Sequence, residues 1–366
     1  MAKHNAANTR IKREYFDYLE HAQRRNEASI DQVAKALARF EEASGFKDFK
    51  KFHREQAKAF KAKLNAAKNE RTGKPLARAT VHSTLSALRA FFIWLAGQPG
   101  YKSKIAYSDA DYFNLSEKDV RIAKASREKP VPTLEQVHHV LDTMPATSDL
   151  ERRNRALIAL ALLTGARAAA LASLKLKHID LEQGCIYQDA REVRTKNSKT
   201  FTTWFCPVGG DALQIVSDWC EYLRKDLLWG ENDPLFPKTQ TGRGEQGGFQ
   251  AVGLSREHWS GTGPIRVIYK EAFEAAGLPY YNPHCFRHAL ARLGEQICPT
   301  IEAFKAWSQN IGHERMLTTL TSYGTVPADK QADLIRGLGE KKTDDDDAQL
   351  TAMIAETVRK YKAGGL

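Results

Sequence analysis

The stretch Leu162-Leu163-Thr164-Gly165-Ala166-Arg167 joins the end of one predicted helix to the start of another. Helical periodicity runs through residues 152–163 and breaks at Thr164-Gly165, so Arg167 opens the next helix. A helix start directs main-chain N–H groups and side chains outward together, a geometry that suits a phosphate. Taken alone, such a segment more often holds a plain surface arginine.

Working outward from this stretch, residues 132–340 are predicted to form one mainly helical domain. A helix begins behind Pro132, where Thr133 and Gln136 have capping-box spacing. Helical pattern returns over residues 264–337. The fold class expected is therefore mainly α.

A small antiparallel β-sheet is predicted inside this domain. Residues 185–187 and 200–205 are rich in β-prone types and flank Lys196-Asn197-Ser198-Lys199, which has the composition of a hairpin turn. Residues 240–253, rich in Gly and Gln, are predicted to be a loop.

Residues 1–115 are predicted to form a basic helical module. One of its helices is expected to start at a capping box of Ser29 and Gln32. Residues 1–129 hold 27 Lys and Arg against 15 Asp and Glu, whereas the rest holds 28 against 29. A surplus confined to one region favours a polyanion partner, DNA or RNA. A solvated Lys-rich surface explains the charge about equally well. The predicted helices cover residues 13–25, 29–42, 52–69 and 79–96.

Two segments outside these domains are predicted from a loss of periodicity. Residues 116–131 lie between the two domains and are interpreted as a linker. Residues 341–366 begin with Asp344-Asp345-Asp346-Asp347 and continue as an amphipathic helix. That helix has no core of its own, so we expect it to pack on its parent domain or on a neighbouring subunit.

The cysteines and the apolar runs indicate where the chain works. The five cysteines include no CxxC pair, and neither a signal peptide nor an apolar run of about 18 residues is present. We therefore expect a soluble, intracellular protein with reduced thiols.

Two further segments carry residues suited to phosphate chemistry. In Pro283-His284-Cys285-Phe286-Arg287-His288, His284 and Arg287 are three apart and share a helix face. Ile311-Gly312-His313 is followed by Tyr323 in Thr321-Ser322-Tyr323-Gly324. Each segment alone is weak, because capping histidines and rim tyrosines are common.

In this order, the three segments and the hairpin lysine resemble the active-site series of the tyrosine recombinase (phage integrase) family. The resemblance covers most of the chain and implies a helical core-binding domain followed by an α+β catalytic domain. It implies a site-specific DNA recombinase that forms a 3′-phosphotyrosyl intermediate and exchanges strands between duplexes. The implied partners are double-stranded DNA with inverted-repeat core sites and three further subunits in a tetramer. A prokaryotic cytoplasm, at the nucleoid, is the implied location.

The resemblance also implies a role for each site residue. Arg167 and Arg287 clamp the scissile phosphate, and His284 and His313 donate hydrogen bonds to its oxygens. Tyr323 attacks the phosphorus. Lys196 protonates the leaving 5′-oxygen, with Lys199 as the alternative. Fixed cations meet the charge that develops on the phosphate, so no metal, ATP or other cofactor is expected.

The basic module resembles the family's core-site-binding domain. Its strongest helix, over residues 79–96, ends in Phe91-Phe92-Ile93-Trp94-Leu95. The residues expected to contact DNA lie beside or on the polar side of this helix: Lys74, Arg78, His82 and Arg89.

One departure from the family pattern keeps alternatives open. Ala170 stands where the family commonly has an acidic residue, so the support of Arg167 is missing or comes from elsewhere. The alternatives are a type IB topoisomerase, which shares this chemistry, and a decayed integrase that binds DNA without cleaving it. An RNA-binding helical protein ranks last, because stacking motifs are lacking.

Overall fold

The computed structural model describes residues 4–70, 72–125, 130–243 and 248–312, and it divides the chain into two compact units, 1–126 and 127–366. Both are mostly helical, and two small antiparallel sheets occur in the second. The predicted fold class is confirmed. Among the described helices, none is long and apolar enough to cross a lipid bilayer.

The N-terminal unit packs its helices around an aromatic core. The ring of Phe52 stacks on Phe92 with centroids 3.7 Å apart, and both rings stack on Phe113. The four predicted helices are present, although α2 starts earlier than expected: Asn26, not Ser29, caps it by accepting from the Ser29 N–H. The helices are α1 (Ala6–Asp17), α2 (Glu27–Ala43), α3 (Arg54–Ala66), α4 (Arg78–Ala96) and α5 (Glu117–Lys124).

Helix α5 lies where the sequence indicated a linker. It contacts α4, and Phe113 just before it is buried. Ser116 caps α5 by accepting from the Asp119 N–H. The loss of apolar periodicity over residues 116–131 therefore includes a short helix, α5, that still packs on the unit.

The C-terminal unit is built around α7, whose residues 156–162 are almost completely buried. Because neighbouring elements cover α7 on all sides, its apolar run is continuous rather than striped. The capping box of Thr133 and Gln136 is confirmed at the start of α6. The helices are α6 (Leu134–Thr143), α7 (Asp149–Thr164), α8 (Ala168–Leu171), α9 (Ala212–Glu221), α10 (Gly263–Ala275), α11 (His284–Ile297) and α12 (Ile301–Asn310).

Two antiparallel sheets complete this unit. The first, in the order β1–β2–β3, contains the predicted hairpin, with Gln188 of β2 opposite Phe201 of β3. The second pairs β4 with β5, so the prediction of a loop over residues 240–253 was wrong. Both β4 and β5 are largely exposed, and their Gly and Gln residues give no apolar alternation. The strands are β1 (Ile179–Asp180), β2 (Cys185–Gln188), β3 (Phe201–Trp204), β4 (Lys238–Arg243) and β5 (Phe249–Ser255).

Candidate active site

The break after α7 brings that helix directly against α11. Gly165 ends α7 with φ 58°, a left-handed conformation that glycine adopts without strain. A Cβ atom at Gly165 would lie 3.0 Å from Cδ1 of Leu290 and 3.4 Å from Cγ of Arg287. The glycine therefore permits both the turn and the close approach of α11.

Arg287 joins three segments of the site. Its side chain is 3% exposed. Nη1 donates to the Gly165 carbonyl at 2.7 Å, and Nη2 donates to the Ile311 carbonyl. The ends of α7 and α12 are thus tied to the first turn of α11.

Arg167 lies at the start of α8 and is half-buried. Burial lowers the pKa of its guanidinium, because desolvation disfavours the charged form. A Cβ atom on Gly312 would lie 3.9 Å from Nη1 of Arg167 and 3.1 Å from Cζ of Phe201. Since α8 is a single turn, its dipole adds little to the positive charge that Arg167 itself provides.

His284 opens α11, three residues before Arg287. Its main-chain N–H donates to Oδ1 of Asn282 at 3.0 Å, and its ring lies edge-on to His288 with centroids 4.8 Å apart. The imidazole is exposed, whereas Arg287 is buried. The first turn of α11 therefore carries one solvent-facing and one anchored candidate.

Lys196 is exposed and lies on the connection between β2 and β3. Its 3-10 turn, Lys196–Ser198, has left-handed φ values of 59° at Asn197 and 50° at Ser198. Lys199 follows directly and is also exposed. Both candidate acids therefore remain on one short, solvent-facing turn.

Asn310, which the sequence analysis missed, fastens the hairpin to α12. Its Oδ1 accepts from the Trp204 N–H at 2.7 Å, and its Nδ2 donates to the Trp204 carbonyl at 2.9 Å. It therefore continues the hydrogen bonding of β3 at the end of α12, two residues before Gly312. Nδ2 also donates to Sγ of Cys206 at 3.8 Å. No spacing rule would find such a residue, because its partners are more than 100 positions away in the chain.

Arg194 was also missed, although it stands two residues before Lys196. It donates to the carbonyls of Ala172, Trp259 and Ser260. Its main-chain N–H donates to Oγ of Ser173 at 2.9 Å. Nothing in the sequence around Arg194 distinguishes it from the other arginines of this basic chain.

Two predicted site residues, His313 and Tyr323, lie outside the described residues, as does the segment 341–366. His313 directly follows Gly312 in the chain. The described part of the site therefore comprises the framework of Arg167, Arg287 and His284, together with Lys196 on the hairpin.

The DNA-contacting candidates occur in the N-terminal unit. Arg89 is paired with Asp111 through two bonds of 2.7 and 3.1 Å, which partly neutralises its charge. Arg78 begins α4 and donates to Asn65 at 3.0 Å. Lys74 is exposed and His82 is half-buried. Lys74 and Arg78 are therefore the more accessible of the four side chains.

A mostly helical unit with an arginine framework and a lysine-bearing hairpin indicates the tyrosine recombinase class. The chain belongs to the phage integrase family, whose model matches residues 131–323, more than half of the chain.

Curated relatives agree with this family over part of their length. The chain is 31% identical over 172 residues to tyrosine recombinase XerC from Escherichia coli O157:H7. XerC from the K12 strain DH10B matches to the same extent. The match covers 47% of this chain and 50% of the relative, so the chain spans about half the length of the curated relatives it matches.

Solved structures of the class share the fold. A lambda integrase (75–356) dimer bound to a COC′ core site is 16% identical, with a TM-score of 0.57 over 87% of this chain and 96% of that chain. XerH recombinase bound to a palindromic difH substrate is 20% identical, with a TM-score of 0.57 over 90% and 85% of the two chains. The Tn1549 transposon integrase in complex with transposon right end DNA is 13% identical, with a TM-score of 0.54 over 90% and 99%. At these identities the likeness concerns the fold.

Proposed function

We propose that the chain is a site-specific DNA recombinase that cleaves and rejoins DNA through a 3′-phosphotyrosyl intermediate and exchanges strands between two duplexes. The observation that carries this proposal is Arg287, which ties Gly165 and Ile311 to α11. This tie gathers the segments that lead into Arg167, His284 and His313. Such preorganised donors are usually the largest catalytic contribution to reactions that develop charge.

The proposed chemistry assigns each proton and bond. The phenolic oxygen of Tyr323 attacks the phosphorus while Arg167 and Arg287 neutralise the non-bridging oxygens. A phenol with a pKa of about 10 needs help to ionise at neutral pH. His284 or His313 accepts its proton. The bond from phosphorus to the 5′-oxygen breaks, and Lys196 protonates that oxygen.

Rejoining reverses these steps. A 5′-hydroxyl from the second duplex attacks the phosphorus and gives its proton to Lys196. The bond from phosphorus to the Tyr323 oxygen breaks, and His284 or His313 returns the proton to the phenol. The covalent bond conserves the energy of the broken linkage, so the cycle needs no ATP. We propose that this reaction takes place in a prokaryotic cytoplasm, at the nucleoid.

The N-terminal unit is proposed to hold the DNA. Its surplus of lysine and arginine supports sequence-independent contact with phosphates, and Lys74, Arg78, His82 and Arg89 are the proposed contacts. Two subunits on the two halves of an inverted repeat, and two such duplexes, give the proposed tetramer. The amphipathic segment after Asp344-Asp345-Asp346-Asp347 is proposed to dock on a neighbouring subunit.

Strand exchange is tested with two duplexes of different length that carry the cleavage site. We expect hybrid duplexes and, in sedimentation, a complex of four subunits on two duplexes. A topoisomerase would cleave the DNA but form neither hybrid duplexes nor the four-subunit complex.

Removing residues 345–366 should abolish the hybrid duplexes and the four-subunit complex. Cleavage of a nicked suicide duplex should stay within a few-fold of the parental rate. Loss of cleavage with intact assembly would refute the role given to this segment.

Ala170 favours a second candidate, an integrase that binds DNA without cleaving it. The residue is completely buried and offers Arg167 no carboxylate. The hydrogen bonds of Arg287 to Gly165 and Ile311 favour the cleaving enzyme over this second candidate. Formation of a covalent adduct would exclude the second candidate.

A further inference from the structure

The connection that carries Lys196 is long for a hairpin. It spans residues 189–200, between Gln188 of β2 and Phe201 of β3, whereas hairpin loops usually have two to five residues. From Arg194 to Thr200 every residue except the half-buried Thr195 is exposed. A lysine on so exposed a connection needs an anchor nearby if it is to stay in one place.

Arg194 provides such an anchor through its guanidinium and its main chain. Nη1 donates to the Ser260 carbonyl at 2.6 Å, and Nη2 donates to the carbonyls of Trp259 at 2.6 Å and Ala172 at 3.0 Å. Hydrogen bonds from a charged donor are stronger than those between neutral groups. The anchor lies only two residues from Lys196.

One side of this anchor is the segment that follows Arg167. Ala172 and Ser173 come directly after α8, whose first turn Arg167 opens. Oγ of Ser173 accepts from the Arg194 N–H and donates to the carbonyls of Ala169 and Ala170. The elements that carry Arg167 and Lys196 are thus joined at two points, beside the buried Ala170.

The other side of the anchor is itself held firmly. Trp259 is 5% exposed, and the guanidinium of Arg153 lies over its ring, 5.0 Å from the centroid. Arg153 is buried and donates to the Pro237 carbonyl and to Oγ1 of Thr239, each at 3.0 Å. Arg194 therefore ties the exposed connection to packed parts of the unit on both sides.

We infer that Arg194 is a positioning residue for Lys196, fixing the proposed general acid relative to the helix of Arg167. The inference rests on the proposed function. Arg194 itself contacts only main-chain carbonyls and one serine among the bonds described, so its effect on the reaction passes through Lys196.

A change of leaving atom separates this role from a merely structural one. In the proposed step, the bond from phosphorus to the 5′-oxygen breaks, its electron pair stays on oxygen, and Lys196 supplies a proton. With sulfur at that bridging position the leaving group is a thiolate instead of an alkoxide. A thiol has a pKa of about 8.5. The thiolate is therefore a weak enough base to leave without being protonated. A variant that lacks only acid catalysis should therefore cleave the sulfur substrate at nearly the parental rate. A variant that folds poorly or binds the phosphate poorly should be slow on both substrates.

The test compares cleavage of a nicked suicide duplex carrying the cleavage site, made with 5′-bridging oxygen or sulfur. On oxygen, Lys196→Ala should lose about 10²–10⁴-fold, and Arg194→Ala about ten- to a hundredfold. Arg194→Lys should be slowed as well, because one ammonium cannot reach three carbonyls. All three should come within a few-fold of the parent on sulfur. The double variant should be no slower than Lys196→Ala.

Arg191→Ala is the matched control, since Arg191 lies in the same connection with a side chain 84% exposed and paired with Asp189. It should cleave both duplexes at the parental rate. Ser173→Ala, which removes one tie, is a milder second variant, and thermal melting reports on folding. The inference would be overturned if Arg194→Ala cleaved the oxygen duplex at the parental rate. It would also be overturned if Arg194→Ala were slowed equally on the oxygen and sulfur duplexes.

The same experiment distinguishes this inference from the proposed function. If the parent forms an adduct that Tyr323→Phe does not form, but sulfur fails to rescue Lys196→Ala, the recombinase stands and the positioning role falls. If Tyr323→Phe still forms an adduct, the proposed nucleophile is wrong.

Discussion

Arg167 and Arg287 share a proposed role but differ in what else they hold. Arg287 is buried and donates to two main-chain carbonyls. Arg167 is half-buried at the start of a one-turn helix. Their identity as candidates could be predicted from sequence order alone. The anchoring of Arg287 could not, because both carbonyls belong to segments distant in sequence.

Replacing each arginine should separate these two roles. Arg167→Ala and Arg287→Ala should each lower cleavage by about 10²–10³-fold or more. Only Arg287→Ala should also destabilise the fold clearly, by about 1–3 kcal/mol for each carbonyl left buried without a donor. Urea unfolding and single-turnover cleavage measure the two effects. An unchanged unfolding midpoint for Arg287→Ala would contradict the anchoring role.

At the scale of elements, the site depends on how closely the end of α7 approaches α11. Gly165 lies against α11, where a Cβ atom would meet Leu290 and Arg287. A side chain there would meet packed neighbours in addition to its unfavourable φ. The break between the two helices is therefore a packing requirement as well as a turn.

Gly165→Ala tests this requirement, with Gly209→Ala as its control. Gly209 has φ 71°, and a Cβ there would meet nothing within 4 Å. Gly209→Ala should lose roughly 1–2 kcal/mol of unfolding free energy from the left-handed conformation alone. Gly165→Ala should lose about 1–3 kcal/mol more from overpacking and should slow cleavage by displacing Arg287. Equal losses from urea unfolding of the two variants would refute the packing argument.

How much of each element could be predicted depends on what stabilises it. The long helices follow from apolar stripes and caps, as the box of Thr133 and Gln136 illustrates. The pairing of β4 with β5 could not be predicted, because main-chain hydrogen bonds and not an alternating apolar face define it. The roles of Arg194 and Asn310 could not be predicted for a related reason. They bond mainly to main-chain carbonyl and N–H groups, and no pattern of side chains in the sequence reveals such partners.

At the scale of the whole molecule, charge and chemistry are divided along the chain. The basic surplus lies in residues 1–129, whereas the arginine framework and the family match lie beyond residue 130. Binding to DNA and reaction with it are thus expected from different parts of one chain. The division into a DNA-binding domain, a linker, a catalytic domain and a tail remains a proposal at this scale.

The most direct test of the central claim is capture of the covalent intermediate. The protein is incubated with a large mixed DNA pool without metal or ATP, denatured, and the DNA ends linked to it are sequenced. We expect adducts joined through a 3′-phosphate to Tyr323, clustered at one inverted-repeat sequence and absent from Tyr323→Phe. Adducts scattered over sequence would favour a topoisomerase, and DNA binding without any adduct would contradict the proposed recombinase.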